Sequence, residues 1–208
     1  MSIYLQPRQV FCYNVNMSFP EDAYYKAKFS KLSLEDVSIQ SKIFEECEFN
    51  GCHFISCKFK KCKFINCSFN DCIISDMAPF NCRFNEVKFT GCKVIGVDWT
   101  KAEELRAPDF NSSQINYSNF RMLKIPKTKI IACEAKEVDF AEADLNQSDF
   151  QRTDFEKSIF FKTNLSQADF RGAKNYFIDV KNNVIKKARF SLPEAMSLLQ
   201  SLDIIIEL

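Results

Sequence analysis

An all-β coil that turns a corner every five residues is the fold this sequence predicts, and three observations predict it. Large apolar residues recur at a spacing of five: Phe44, Phe49, Phe54, Phe59, Phe64, Phe69 and Ile74, then Phe84, Phe89, Val94 and Trp99. After one six-residue step the series resumes one position out of phase, from Phe110, Ile115 and Phe120 to Phe160, Leu165 and Phe170. The residue two before these centres is usually small: mostly cysteine in the first series (Cys47 to Cys92), mostly Ser, Thr or Ala in the second (Ser113 to Ala173). The three remaining positions are mostly polar or charged.

Five matches neither the 3.6-residue helical turn nor the two-residue alternation of a strand. A helix would spread the rings around its circumference, and a strand would throw successive ones to opposite faces. A chain that bends every five residues points every fifth side chain at its axis. The small residue then leaves room for rings that must stack at near-crystalline density.

The elements follow in order. Residues 1–190 form the repeat coil as two stacks, 17–99 and 105–190, with the phase slip in 100–109, where Pro108 and a charged run predict an exposed corner or small loop. Met77-Ala78-Pro79 and Lys124-Ile125-Pro126-Lys127 depart from the pattern without shifting its phase, which predicts local bulges. Residues 191–208 change character and form a C-terminal capping and dimerisation unit. Ser191 and Glu194 stand at capping-box spacing, and Pro193 is compatible with a first helical turn. Leu192, Ala195, Met196, Leu199 and Leu202 make an apolar stripe at helical spacing, and 203–208 reads as a short strand. A helix of about 10 residues is not stable unaided, so it must cover the open end of the coil or pack on a second copy.

Composition narrows the function classes. The 208 residues suit one domain, and four Gly and six Pro argue against disorder. No secretory signal opens the chain and no stretch reaches membrane-spanning length, so a cytoplasmic protein without membrane contact is expected. The ten cysteines all occupy the small inward position, and a spacing of five is not a metal-ligand spacing. They are expected as buried structural thiols, with no metal and no cofactor. The single histidine, His53, is an outward position without a placed acid, so no nucleophile has a base and no enzyme activity is expected. Net charge is +1, yet Asp139, Glu142, Asp144, Asp149, Asp154, Glu156 and Asp169 outnumber the bases between 138 and 170. Lys58, Lys60, Lys61, Lys63, Arg83, Lys88 and Lys93 populate the first stack. A solvated surface explains each patch alone. Together they describe a rod with a basic end and an acidic belt, able to dock a partner of complementary charge.

The segments Ala143-Asp144-Leu145, Ser148-Asp149-Phe150, Thr153-Asp154-Phe155 and Ala168-Asp169-Phe170 resemble the consensus of the pentapeptide-repeat family. The resemblance spans roughly 17–190 and implies a right-handed quadrilateral parallel β-helix with four pentapeptides per coil, ended by a short C-terminal helix and strand. The tail, with Ala195, Leu198, Leu199, Leu202, Ile204 and Ile206, resembles that of the Qnr, McbG and MfpA group. That likeness implies an end-to-end homodimer through Leu192, Ala195, Met196, Leu198, Leu199, Leu202, Ile204 and Ile206. It also implies a non-catalytic rod that mimics DNA, binds DNA gyrase or topoisomerase IV, and protects it from quinolones or peptide poisons. Asp139, Glu142, Asp144, Asp149, Asp154, Glu156 and Asp169 are then the candidate acidic partner surface. The near-neutral charge departs from that group, and the chain lacks the long loops that project from Qnr rods, as MfpA-like members also do. The alternative is a general protein-interaction scaffold with an unrelated partner. Direct nucleic-acid binding is not expected, because the aromatic rings are committed to the core.

Overall fold

The computed structural model describes residues 9–10, 19–202 and 204. Within them the chain winds as a four-sided parallel β-helix. Each side carries one five-residue unit per coil, and each unit pairs with the unit twenty residues later: Lys28↔Glu48, Ser33↔His53, Ser38↔Lys58, Ile43↔Lys63. The four faces, in chain order, are headed by Tyr24, Phe29, Leu34 and Ile39, and are named here by those residues. In the first coils each unit is a three-residue strand whose centre is buried and whose flanks face outward, as in Glu48–Asn50 or Lys58–Lys60. The quadrilateral solenoid expected from the repeat is the fold observed.

The spacing of the rings explains why phenylalanine dominates. On the Phe29 face, Phe29, Phe49, Phe69, Phe89 and Phe110 stack with centroids 4.8, 4.5, 5.0 and 4.8 Å apart. Those distances match the strand separation of ~4.8 Å, so one ring thickness fills one coil. Rings of adjacent faces meet edge to face, as Phe44 and Phe49 do at 5.5 Å. Both geometries are favourable for aromatic pairs and add about 0.5–1.5 kcal/mol each beyond burial.

Corners need a special backbone. The residue two after each centre lies in the left-handed region from Lys26 to Gly172, with the one exception of Lys101. Almost all are non-glycine, and each carries a steric penalty. The corner N–H offsets it by donating to the coil above: Lys26 N to Glu45 O at 2.9 Å, Lys31 N to Asn50 O at 2.9 Å, Lys61 N to Phe80 O at 2.9 Å. Above Asp71 and Asp76 the corner is glycine, which gives clearance: a Cβ on Gly91 would lie 2.5 Å from Asp71 Oδ1.

The slip has a local cause. Beyond it the register becomes twenty-one residues, as in Arg83↔Glu104 and Lys88↔Asp109, and it returns to twenty at Asp109↔Lys129. The extra residue is absorbed by a 3-10 turn, Trp99–Lys101, which lies over Pro79. Other centres donate their N–H to the coil above, as Val94 does to Gln114 O. Pro79 has no N–H to give. The Asp98 carbonyl instead accepts from Lys101, and the turn tightens. The bulge expected at 77–79 does not form: Ala78–Phe80 is a regular strand in register with Lys58–Lys60, with Pro79 at the end of its sheet, where proline is tolerated. The ladder of the Phe29 face runs through the slip without a break.

The C-terminal segment also differs from expectation. Glu194–Leu202 is a 3-10 helix, and Ser191 does not cap it, because its hydroxyl accepts the Gly172 N–H at 2.8 Å. Ser197 and Ser201 donate to the carbonyls of Glu194 and Leu198 three residues back, a pattern that suits the tighter helix. The strand expected over 203–208 lies outside the described residues, save for Ile204, as does Cys12.

Candidate interaction surfaces

The position two before each centre, occupied by cysteine in one half and hydroxyl or alanine in the other, has a definite task. Its Sγ or Oγ lies between coils. Cys72 Sγ donates to Phe49 O at 3.3 Å and accepts the Cys52 N–H at 3.3 Å. Thr153 Oγ1 does the same with Ile130 O at 2.6 Å and the Cys133 N–H at 3.2 Å. The nine described cysteines are free and buried, and burial pushes the thiol of Cys133 up to about 11. A protonated thiol is the donor this position needs. The cysteines are therefore committed to the backbone.

The aspartates of the second half are also committed. Asp139, Asp144, Asp149, Asp154 and Asp169 each accept, through Oδ1, the backbone N–H two residues on, at 2.8 to 3.2 Å. Asn119 and Asn164 occupy the same position and make the same bond. At the corresponding place Lys124 cannot accept, and there the N–H is missing too, because the next residue but one is Pro126.

The seven belt acids do not share a face. Asp149 and Asp169 lie on the Phe29 face, Asp144 on the Tyr24 face, Asp154 on the Leu34 face and Asp139 on the Ile39 face. Five of the seven are ion-paired: Asp139 and Glu142 to Arg121, Asp154 to Lys174, Glu156 to Lys136, and Asp169 to Arg171 and Arg189. The Arg171 guanidinium, hydrogen-bonded to Asp169, holds that carboxyl below its ordinary value. The basic set of the first stack is divided as well, with Lys88 on the Phe29 face and Lys93 on the Leu34 face.

Charge sorts by edge rather than by half. Along the edge joining the Leu34 and Ile39 faces, Asp36, Asp76 and Glu137 occupy left-handed corners, flanked by Glu35, Asp98, Asp139 and Glu156. Three lysines, Lys58, Lys136 and Lys157, stand among those seven acids. Along the next edge, between the Ile39 and Tyr24 faces, the balance inverts. Lys60, Lys61, Lys63, Arg83, Lys101, Arg121 and Lys124 share their coils with only two acids on this edge, Glu103 and Glu104, and the coil above brings Glu142 to Arg121 and Asp144 over Lys124. A one-dimensional count hides both edges. Aligning the charges at a period of twenty, corrected for the slip, is the signal that finds them.

The tail residues lie across one end of the rod. Leu198 packs on the core, Ala195 and Leu199 are half-buried, and Ser201 Oγ accepts the Val180 N–H at 3.2 Å. Leu192, Met196, Leu202 and Ile204 remain exposed, Leu192 at 75%. Ile206 lies outside the described residues. No described helix is long and apolar enough to cross a membrane.

No curated protein matches the chain. Among solved structures, a trypsin-treated variant of QnrB1, a plasmid-mediated fluoroquinolone resistance protein, aligns with 89% of this chain and 91% of its own at 16% identity and a TM-score of 0.71. A second trypsin-treated QnrB1 variant aligns with 86% of this chain and 100% of its own, also at 16% identity, with a TM-score of 0.55. At that identity the likeness is one of fold. Two family models match, one described as a pentapeptide repeat region over residues 42–120 and one as pentapeptide repeats in eight copies over 139–174. With more than half of the chain matched and the coil observed, this protein belongs to the pentapeptide-repeat family.

Proposed function

We propose that the protein is a non-catalytic docking rod whose partner is a type II topoisomerase, DNA gyrase or topoisomerase IV, which it shields from quinolones or peptide poisons. The acidic edge between the Leu34 and Ile39 faces carries the reading. A straight row of carboxylates on a rigid rod presents to a DNA-binding protein the charge that DNA presents. Asp36, Asp76 and Glu137 have no ion-pair partner among the described residues and point outward from corners, so they remain available for contact. Of the belt acids, Asp139 and Glu156 lie on this edge and supplement it. The exposed apolar residues of the tail, Leu192, Met196, Leu202 and Ile204, support an end-to-end homodimer that would double the rod's length.

Supercoiling by purified gyrase, measured with ciprofloxacin at its half-inhibitory dose, should recover when the protein is added. The combined variant Asp36→Lys, Asp76→Lys, Glu137→Lys should lose the effect while its melting temperature stays put, because lysine already occupies left-handed corners at Lys31 and Lys61. No recovery at stoichiometric excess would sink the topoisomerase reading. The second reading, a scaffold for an unrelated protein, draws on the ion pairs that neutralise five of the seven belt acids. Affinity capture that returns another partner and no gyrase would favour it.

A further inference from the structure

The basic edge between the Ile39 and Tyr24 faces is a charged surface that the acidic-edge reading does not use. Lys60, Lys61 and Lys63 stand side by side at one corner, all exposed. The coil below places Gln40 and Ser41 under Lys60 and Lys61, and the coil above places Phe80, Asn81 and Arg83 over them, so no carboxylate lies directly above or below. Among the described residues Lys60, Lys61, Lys63 and Lys124 have no ion pair. Elsewhere the rod neutralises its bases across coils, as with Lys26–Glu46, Lys28–Glu48 and Lys136–Glu156. On this edge Arg83, Lys101 and Arg121 are paired as well, with Glu103, Asp98 and Glu142, and the four lysines are not.

Two apolar side chains interrupt the same edge. Phe80, next in line after Lys60, is 37% exposed with the Lys101 ammonium 5.5 Å from its ring, and Met122, beside Arg121, is 65% exposed. Bases interleaved with exposed apolar groups, over about 14 Å of rod at ~4.8 Å per coil, describe a specific chemistry. We propose that this edge docks an acidic protein segment that also carries apolar side chains. A phosphate backbone would satisfy the lysines but offer nothing to Phe80 and Met122, and neither is a flat, uncovered ring on which a base could stack. The surface is separate from the acidic edge, so each can fail alone.

The probe is a fluorescein-labelled peptide of about 16 residues in which Glu pairs alternate with Leu and Phe, long enough as a helix to span the edge. It is titrated with the full chain by fluorescence anisotropy. A duplex DNA of equal charge is titrated in parallel, and the mass of the chain is followed by light scattering. The peptide should bind, and Lys60→Glu, Lys61→Glu, Lys63→Glu combined should weaken it by about tenfold or more. Met122→Ser should weaken it by about threefold, and the acidic-edge variant Asp36→Lys should leave it unchanged. Among the described residues the side chains of Lys60, Lys61 and Lys63 make no hydrogen bond, so the triple variant keeps its fold, which thermal melting verifies. Peptide binding that ignores the triple reversal overturns the proposal. So does DNA binding tighter than the peptide through the same lysines, or self-association that those reversals abolish.

Discussion

The two halves of the rod solve the same closure problem with different chemistry. In the coils from Ile43 to Ile95 each side is a three-residue strand and the slot residue is usually cysteine. In the coils from Gln114 to Lys174 most sides meet the next through single bridges, and the slot is usually serine, threonine or alanine. The slot N–H has two possible destinations. In several places where the slot above carries a thiol or hydroxyl, the N–H goes there: Cys52 to Cys72, Cys92 to Ser113, Cys133 to Thr153, Val138 to Ser158. Where the slot above carries alanine, valine or isoleucine, the N–H turns back to the carbonyl three residues earlier and closes a β-turn. Leu123 to Phe120, Ser118 to Ile115, Ser158 to Phe155 and Ala168 to Leu165 do this. Ala143 and Thr128 depart from this: Ala143 turns back to Phe140 although Thr163 lies above it, and the Ser148 hydroxyl above Thr128 has no partner among the described residues. The lesson is that thiol and β-turn are interchangeable devices for one backbone requirement, since a buried N–H left without a partner is costly.

What the halves share is the core, and it sets the largest expected effect. Phe49→Ala removes a ring stacked 4.8 Å from Phe29 and 4.5 Å from Phe69. Phe150→Ala removes one packed 5.5 Å from Phe155 and 4.9 Å from Phe170. Each should cost ~3–5 kcal/mol in urea unfolding, because the stacked coils cannot collapse into the gap. A much smaller loss in one half would show that the two cores are not equivalent.

The slot comparison is sharpened next. Thr153→Val keeps the shape and deletes the bridge to Cys133 N and Ile130 O, which should cost about 1–3 kcal/mol. Cys72→Ser keeps donor and acceptor, as Ser113 already shows in the same column, and should cost about 1 kcal/mol or less. If Cys72→Ser proves as damaging as Thr153→Val, the thiol matters for its volume and the equivalence drawn above fails.

Much of this could be read from residues alone, and the boundary is instructive. Spacing of five, with small residues two before, leaves a corner per unit as the one backbone path that keeps Phe44 to Phe170 buried. The inward cysteines were legible for the same reason. The helix cap was only half legible: the stripe Leu192, Met196, Leu202 marks an apolar side, but Ser197 and Ser201 tighten the helix, and docking on Tyr176 and Val180 decides which residues stay exposed. The belt was legible as composition and not as a surface, because successive aspartates five apart lie on successive faces. The basic edge requires knowing that Lys61 stands under Asn81 and that the slip over Pro79 shifts every later residue by one.

The smaller effects test whether the second half's aspartates serve the fold before any partner. Asp144→Ala deletes the acceptor of the Asn146 N–H and should cost about 1 kcal/mol, whereas Asp144→Asn keeps the bond, as Asn164 does one coil above, and should cost less. Any loss of gyrase protection by the asparagine variant would then report charge rather than folding.

Asp169 adds a pH signature. The Arg171 hydrogen bond depresses its carboxyl below the ordinary value, with its backbone bond and Arg189 contributing. A depressed carboxylate stabilises the fold above its unfolded value near 3.9. That contribution fades as pH falls from about 4 through the folded value, so it is absent only in strong acid. The exposure of the pair makes the effect small. Melting temperatures of the parent chain and Asp169→Asn should therefore differ most near neutrality and converge below about pH 4. Curves that stay parallel down to acid would mean that the hydrogen bond to Arg171 N, which asparagine retains, supplies all that Asp169 contributes, and that the ion pair supplies nothing.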